Sequence, residues 1–471
     1  MGYSVITDTP NRQQRASNEA VEMSMSYPDP TSRSAELSRR AKNVYPGGTT
    51  RGQTYYAPYP VYVAHAEGCR VTDVDGVSRI DFLNNYTVQL FGHSHPDIVA
   101  AVQDQAARGM CFTMPSELDI ELAEMILARA ASFDHLRFTT TGTEAVMHAV
   151  KGARAYTGKT KIAKCEGVYH GAYDYAEVSL DSDPQMWGQE NPRAVGHTHG
   201  VPEGVTRDVV VLPFNDVAAS KRILEDHADD LAAILLDAVP SRCGGIPISA
   251  EYAEMLKSFT RAQNAVLILD EVITWRLDYG GAQTLYGIAP DMTTMGKVVG
   301  GGMPIGVVAG REEVMRVFDS SAGKALCSHS GTFAGNPVSM AAGIAAMKLL
   351  TPEAIERLNN LGERARESLR EAFRLADVDG QVTGEGSLVL MHFSTEPLGD
   401  YRATWRAHTE RRAEMLVDLF RRLLNRGILF STWGLGCLST PMGEAEVDHL
   451  AEAVLDSLKE IKQESRKALV S

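Results

Sequence analysis

The chain has 471 residues, 44% of them hydrophobic and 23% charged, with 46 basic and 60 acidic side chains that give a formal charge of −14. Its length implies either a large domain with a second one or one large α/β unit with satellites, and its acidic balance argues against a broad nucleic-acid surface. No apolar stretch approaches the roughly 20 residues that span a bilayer, the N-terminus lacks a secretory pattern, and six scattered cysteines lack metal-like spacing, so the expectation is a cytoplasmic protein with reduced thiols, no structural metal and no membrane partner.

Residues 1–34 are polar and aperiodic around Tyr27-Pro28-Asp29-Pro30, which predicts a flexible arm. A short charged helix follows over 34–43 and stops before Tyr45-Pro46-Gly47-Gly48. Alternating runs over 61–82, with Asp75-Gly76 as the turn, predict a small antiparallel sheet. Past Gly92-His93-Ser94-His95-Pro96 a helix is expected over 97–108. Between 116 and 347, helical patterns alternate with β-rich runs at 136–138, 161–163, 209–211, 233–236, 266–269 and 305–309. That alternation implies a mostly parallel, helix-covered sheet, with any site at the carboxyl ends of its strands. A long amphipathic helix to Ala376, short strands near 387–393 and 427–438, and a last helix over 444–464 complete the chain as an α+β unit. The expected division is an arm (1–34), the first part of a small domain (35–87), a large domain (88–348) and the rest of the small domain (349–471). The segment 174–202 has the length of a lid or of a passive surface insertion.

The chemistry centres on Lys297. It follows Thr293-Thr294-Met295-Gly296, lies downstream of an apolar run ending in Asp270-Glu271, and precedes Gly300-Gly301-Gly302. Such a lysine suits a Schiff base with pyridoxal phosphate (PLP), and, once freed, can shift a proton between substrate and cofactor carbons. Four other stretches fit the same cofactor. In Thr141-Gly142-Thr143-Glu144 a strand gives way to a helix whose N–H groups and Thr143 hydroxyl can receive a phosphate; alone, this is an ordinary helix cap. Glu166-Gly167-Val168-Tyr169-His170-Gly171 offers Tyr169 to stack on a flat ring, with His170 beside it. Asp270 ends its strand where a carboxylate keeps a pyridine nitrogen protonated, and Val272 is placed to touch the ring face opposite Tyr169. Thr332, in Ser330-Gly331-Thr332-Phe333, lies on a glycine-flanked loop suited to phosphate. The glycine triplet lacks GxGxxG spacing, so a dinucleotide site is excluded.

In this order and spacing the motifs resemble the class III aminotransferases, PLP enzymes of fold type I, over residues 40–460. The resemblance implies a large domain with a mostly parallel seven-stranded sheet covered by helices, a small α+β domain from both chain ends, and a homodimer with active sites at the interface. It makes Lys297 the Schiff-base lysine, Asp270 the pyridine-nitrogen partner, Tyr169 and Val272 the ring faces, and Gly142 and Thr143 phosphate ligands, with His170 also at the cofactor. Thr332 would serve the partner's cofactor. Two branches compete. Tyr279-Gly280-Gly281-Ala282-Gln283 and the stretch 291–297 are similar to glutamate-1-semialdehyde 2,1-aminomutases, whereas Gly48-Thr49-Thr50-Arg51 and Asn85-Tyr86-Thr87 are similar to β-amino acid aminotransferases. In the latter an arginine at the position of Arg51 holds the substrate carboxylate, which a planar guanidinium does well, and Tyr86 lines the substrate site. Where the family has Glu-Pro this chain has Asp237-Ala238, and where β-amino acid relatives carry a C-terminal arginine it has Trp433. Either Arg242 takes over carboxylate recognition or Trp433 forms an aromatic-binding wall. The implied reaction moves an amino group from a carboxylate-bearing amine, a β-amino acid, to a keto acid such as 2-oxoglutarate or pyruvate; the alternative is intramolecular transfer of the aminomutase type.

Overall fold

Three short strands, β1 (Val63–Glu67), β2 (Arg70–Asp73) and β3 (Ser78–Asp81), form an antiparallel meander with its β2–β3 turn at Asp75-Gly76, where Gly76 has a φ of +84° that its missing Cβ permits. The computed structural model describes residues 27–470, so residues 1–26 of the expected arm lie outside the described residues. The remainder of the arm runs directly into helix α1 (Arg33–Ala41), capped by the Ser32 hydroxyl, which accepts from Ala35 N.

The central sheet has seven strands: β4 (His135–Thr139), β5 (Lys161–Cys165), β6 (Val209–Leu212), β7 (Leu231–Leu236), β8 (Val266–Asp270), β9 (Met292–Gly296) and β10 (Gly306–Gly310), in the spatial order β4-β10-β9-β8-β7-β5-β6. Only β10 runs against its neighbours. Six strands coincide with the apolar runs of the sequence. The seventh, β9, is Met-Thr-Thr-Met-Gly, whose β-branched threonines are buried in a strand although they form no aliphatic run. Every residue of β7 and β8 is buried, because helices cover both faces and remove the usual alternation.

The other helices of at least seven residues are α2 (Pro96–Arg108), α3 (Glu117–Leu127), α4 (Gly142–Thr157), α5 (Val217–Glu225), α6 (Ala250–Ala262), α7 (Pro337–Leu349), α8 (Pro352–Ala376), α9 (Tyr401–Ala407), α10 (Glu410–Leu424) and α11 (Glu444–Val470). Helix α4 packs across β7 to β10, α7 rests on α2 and α3, and α8 packs along α11. Helices α9 and α10 fill a stretch for which the sequence raised no expectation. The expected strand near 427–438 is two strands in different sheets. β13 (Ile428–Leu429) adds in parallel to β3, joining the two chain ends, and β14 (Leu435–Cys437) pairs with β12 (Leu388–His392), beside β11 (Gln381–Thr383). Among the described residues no single helix is long and apolar enough to cross a membrane.

Candidate active site

Strands β4, β5, β7, β8 and β9 point the same way, so their carboxyl ends share one edge of the sheet. The segments leaving that edge carry Gly142 and Thr143, Tyr169 and His170, Asp237, Asp270 and Val272, and Lys297. The glycines measure how closely these segments approach. A Cβ on Gly142 would sit 2.9 Å from Val272 Cγ2, one on Gly171 would sit 2.6 Å from Thr143 Oγ1, and one on Gly296 would sit 3.7 Å from Gly142 Cα. The phosphate, ring and lysine candidates therefore line a common recess.

Lys297 leaves β9 with a φ of +50°, in the left-handed region. Its backbone and stem lie in a recess that retains some solvent contact, and the protein around the amine pushes its pKa down to about 8, against the opposing pull of Asp270 and Asp237. Part of the amine population is thus neutral near physiological pH.

Asp270 is buried and held from three directions. Its Oδ1 accepts from Thr294 Oγ1 at 3.1 Å and from Val272 N at 3.0 Å, and its Oδ2 lies 2.8 Å from His170 Nδ1. Burial lowers the His170 pKa although Asp270 opposes it, so a neutral ring donating from Nδ1 is the consistent tautomer. That tautomer leaves Nε2, which is buried without a partner. Asp237 accepts from Val239 N at 2.9 Å, and burial, reinforced by Asp270, raises its pKa to about 7. Glu271, next to Asp270, faces away. Its carboxylate accepts from Ala282 N, Gln283 N and Gln283 Nε2, and so orders a short helix instead of the recess.

At the start of α4, Thr141 Oγ1 accepts from Glu144 N, and Thr143 Oγ1 accepts from Ala172 N at 3.2 Å, which leaves the Thr143 hydroxyl proton free to donate. The first-turn N–H groups of Gly142 and Thr143 belong to the set that no helix satisfies internally. Tyr169 is 44% exposed at the rim. These residues fit PLP: a helix start and hydroxyl for a phosphate, an aromatic side chain for a flat ring, an oriented carboxylate and a neutralisable amine. Among the described residues no group of histidines, cysteines and carboxylates could hold a metal.

The substrate candidates divide. Arg51 and Tyr86 stand together on a groove of about 550 Å³ that Asn85, Ser431 and Thr432 also line. Arg51 donates from Nη1 and Nη2 to Asn85 Oδ1, both at 3.1 Å, and the Tyr86 hydroxyl donates to Gln53 O. Behind Asn85, the buried Asn84 donates from Nδ2 to the carbonyl of Cys437 at 2.9 Å. Trp433, next to Thr432, is partly exposed in the turn between β13 and β14. Arg242 is not with them. Its Nε donates to Gly167 O at 2.8 Å and its Nη2 to Leu180 O at 2.8 Å and to the Asp181 carboxylate, so it pins the loop carrying Tyr169 and His170. Thr332 is exposed on a surface loop away from Lys297.

Four residues escaped the sequence reading. Thr294 pairs with Asp270 across β8 and β9, a contact that strand register would have revealed. Glu166 and Arg402 were silent because they lie 236 positions apart; Arg402 Nε donates to Glu166 Oε2 at 2.7 Å and Nη2 to Oε1 at 3.3 Å. Tyr401 covers Gly167 and donates to Ser182 O at 2.8 Å. The segment 174–202 is thereby strapped to α9 at Ser182 and Gly188.

A family model described as aminotransferase class-III matches residues 52–461. A glutamate-1-semialdehyde 2,1-aminomutase from Methanothermobacter thermautotrophicus is 37% identical over 430 residues, covering 91% of this chain and 98% of that protein. The crystal structure of an ω-transaminase from Sphaerobacter thermophilus has 46% sequence identity and a TM-score of 0.90, over 92% of this chain and 98% of that one. A β-phenylalanine aminotransferase from Variovorax paradoxus shares 34% identity with a TM-score of 0.80, over 90% and 93% of the two chains.

Proposed function

The chain belongs to the class III aminotransferases, enzymes that use PLP, and from that premise we propose that it moves an amino group from a β-amino acid to a keto acid acceptor. The observation that carries the donor half is the Arg51 guanidinium beside Tyr86 and Asn85 on one groove. Similarity to an ω-transaminase and to a β-phenylalanine aminotransferase supports it.

When bound, PLP supplies an electron sink for the charge left as the substrate carbon loses its proton. In our reading Lys297 Nζ anchors the cofactor and, when free, takes and returns that proton; a pKa near 8 keeps it available for both. Asp270, oriented by Thr294, Val272 N and His170, holds a proton on the ring nitrogen. Tyr169 and Val272 confine the ring, Gly142 and Thr143 bind the phosphate, and Asp237 stands beside Asp270 with a pKa high enough to limit their mutual repulsion. Arg51 binds the donor carboxylate, and Tyr86 and Trp433 line its path.

We assign Thr332 to the partner's site in a homodimer. Met114 and Leu326, both 78% exposed, and Phe333 at 57% stand on the surface segments around it, an apolar exposure that a second copy would cover. The free state of all six cysteines accords with a cytoplasmic enzyme.

A second reading, intramolecular transfer as in the aminomutases, draws support from the 37% identity over nearly the whole of one such protein. Following cofactor absorbance with a panel of α-, β- and ω-amines, then assaying product with and without 2-oxoglutarate or pyruvate, separates the two. Aminotransfer predicts fast bleaching by β-amino acids and product beyond one equivalent per site only when the keto acid is present. Turnover of a single substrate without acceptor would establish the aminomutase reaction instead.

A further inference from the structure

Between β3 and α2 the backbone does something unusual. Asn84, Asn85, Tyr86 and Thr87, none of them glycine, have φ of +50°, +50°, +56° and +74° in succession. L-residues visit this region singly, most readily as asparagine, and almost never as a turn of left-handed helix. Such a conformation persists only where its surroundings enforce it, and it marks a place where side chains must be aimed.

The enforcing contacts lie on one face. Asp81 Oδ1 accepts from Leu83 N at 2.9 Å and from Asn84 N at 2.7 Å, and its Oδ2 is 2.8 Å from His93 Nε2. Asn84 Nδ2 donates to Cys437 O at 2.9 Å, and the Thr87 carbonyl accepts from Arg276 Nη1 at 3.2 Å. Asn84, Thr87 and Arg276 are fully enclosed. The other face presents Asn85 and Tyr86 to the loop carrying Arg51. There Asn85 Oδ1 accepts from both Nη1 and Nη2 of Arg51 at 3.1 Å. One neutral oxygen thus occupies the end of the guanidinium fork that a carboxylate would take.

We propose that Asn85 is a specificity-determining positioning residue: its amide oxygen is a neutral stand-in for the substrate carboxylate, holding Arg51 aimed in the empty groove and yielding to the charged ligand. This rests on the reading of Arg51 as the carboxylate anchor. Neutrality is the point. An amide oxygen orients the guanidinium yet loses to a carboxylate, because the charge-assisted pair is the stronger. An acid at the same position would form a permanent ion pair and close the anchor.

The test uses the PLP-loaded enzyme and two amines that differ by one carboxylate, 3-amino-3-phenylpropanoate and 1-phenylethylamine, with kcat/KM measured for each from cofactor absorbance. Asn85→Asp, which keeps a residue tolerant of positive φ, should lower the acid-to-amine ratio about tenfold or more, the effect of one lost charge-assisted bond. Asn85→Gly, which suits the backbone but leaves Arg51 without its orienting acceptor, should lower the ratio by a smaller factor, about threefold. An unchanged ratio in Asn85→Gly, or an undiminished ratio in Asn85→Asp, would overturn the proposal. Arg51→Ala tests the underlying reading separately. If it lowers the ratio while Asn85→Asp does not, Arg51 stands and Asn85 falls; if it leaves the ratio unchanged, both fall.

Discussion

Replacing Arg402 with methionine removes the partner of a carboxylate that cannot easily be left alone. The Glu166 side chain is 5% exposed, takes both oxygens' principal bonds from Arg402, and otherwise has only Ser182 Oγ at 3.4 Å. Breaking a buried pair by deleting one member costs about 3–5 kcal/mol. The Arg402 side chain keeps 23% of its exposure, so solvent screening puts the expected cost near the lower end, about 3 kcal/mol. In a chain of this size that lowers the apparent melting temperature by roughly 3 °C. Glu166→Gln alone should cost less, because the partly exposed guanidinium keeps Gly188 O at 3.3 Å and the Trp187 ring 5.0 Å away. The double variant then tells whether the two act as a pair: a coupling of about 2 kcal/mol is expected from the cycle. Because Glu166 begins the loop that carries Tyr169 and His170, the single Arg402 variant should also change the visible circular dichroism of bound PLP, and the double variant should partly restore it. A coupling below about 0.5 kcal/mol, the value of an ordinary surface pair, or an unchanged dichroic signal would refute the view that α9 holds this side of the recess in place.

Asp270→Asn removes the oriented carboxylate while keeping its shape, and should slow the half-reaction about a hundredfold or more in single-turnover absorbance, whereas a loss below about tenfold would deny it the ring-nitrogen role. Capture of PLP by the apoprotein through Lys297 requires the neutral amine; since burial lowers its pKa to about 8, the initial rate should climb with pH and level off above that value. A rate still climbing toward pH 10 would mean that the amine titrates like a solvated lysine, at about 10.4. Gly142→Ala puts a methyl 2.9 and 3.0 Å from the two Val272 methyls. That overpacking costs about 1–3 kcal/mol and should weaken PLP binding, measured by equilibrium dialysis, and adding Val272→Ala should recover much of the loss.

The candidate cofactor residues stand out in the sequence because each is announced locally. Lys297, Asp270, His170 and Gly142 all stand within a few positions of a strand end, among glycines and hydroxyls that no core position demands, and the sheet then gathers them at one edge. The strand before Lys297 was not readable, since Met-Thr-Thr-Met-Gly has neither an aliphatic run nor alternation; its burial is a property of the finished sheet, with helices on both faces. Arg242 is the opposite case. An arginine in a loop after a strand has the chemistry of a carboxylate anchor, but its Nε is taken by Gly167 O and its Nη2 by Leu180 O and Asp181, partners that only the fold reveals.

What separates the two kinds of residue is the distance over which their partners are recruited. Asp270 draws on Val272 and, through strand register, on Thr294, so a short sequence window and one pairing rule contain its environment. Arg51 meets Asn85 across 34 positions, and it does so only because four left-handed residues turn that amide toward it. No propensity predicts such a turn, since each of its residues disfavours it; the enclosed Asp81, Asn84 and Arg276 contacts impose it from 3 to 353 positions away. In our reading substrate choice is therefore set by long-range geometry laid over a locally encoded candidate site, and substitutions in the Asn84–Thr87 turn should change which amines react while leaving the proton transfer assigned to Lys297 in place.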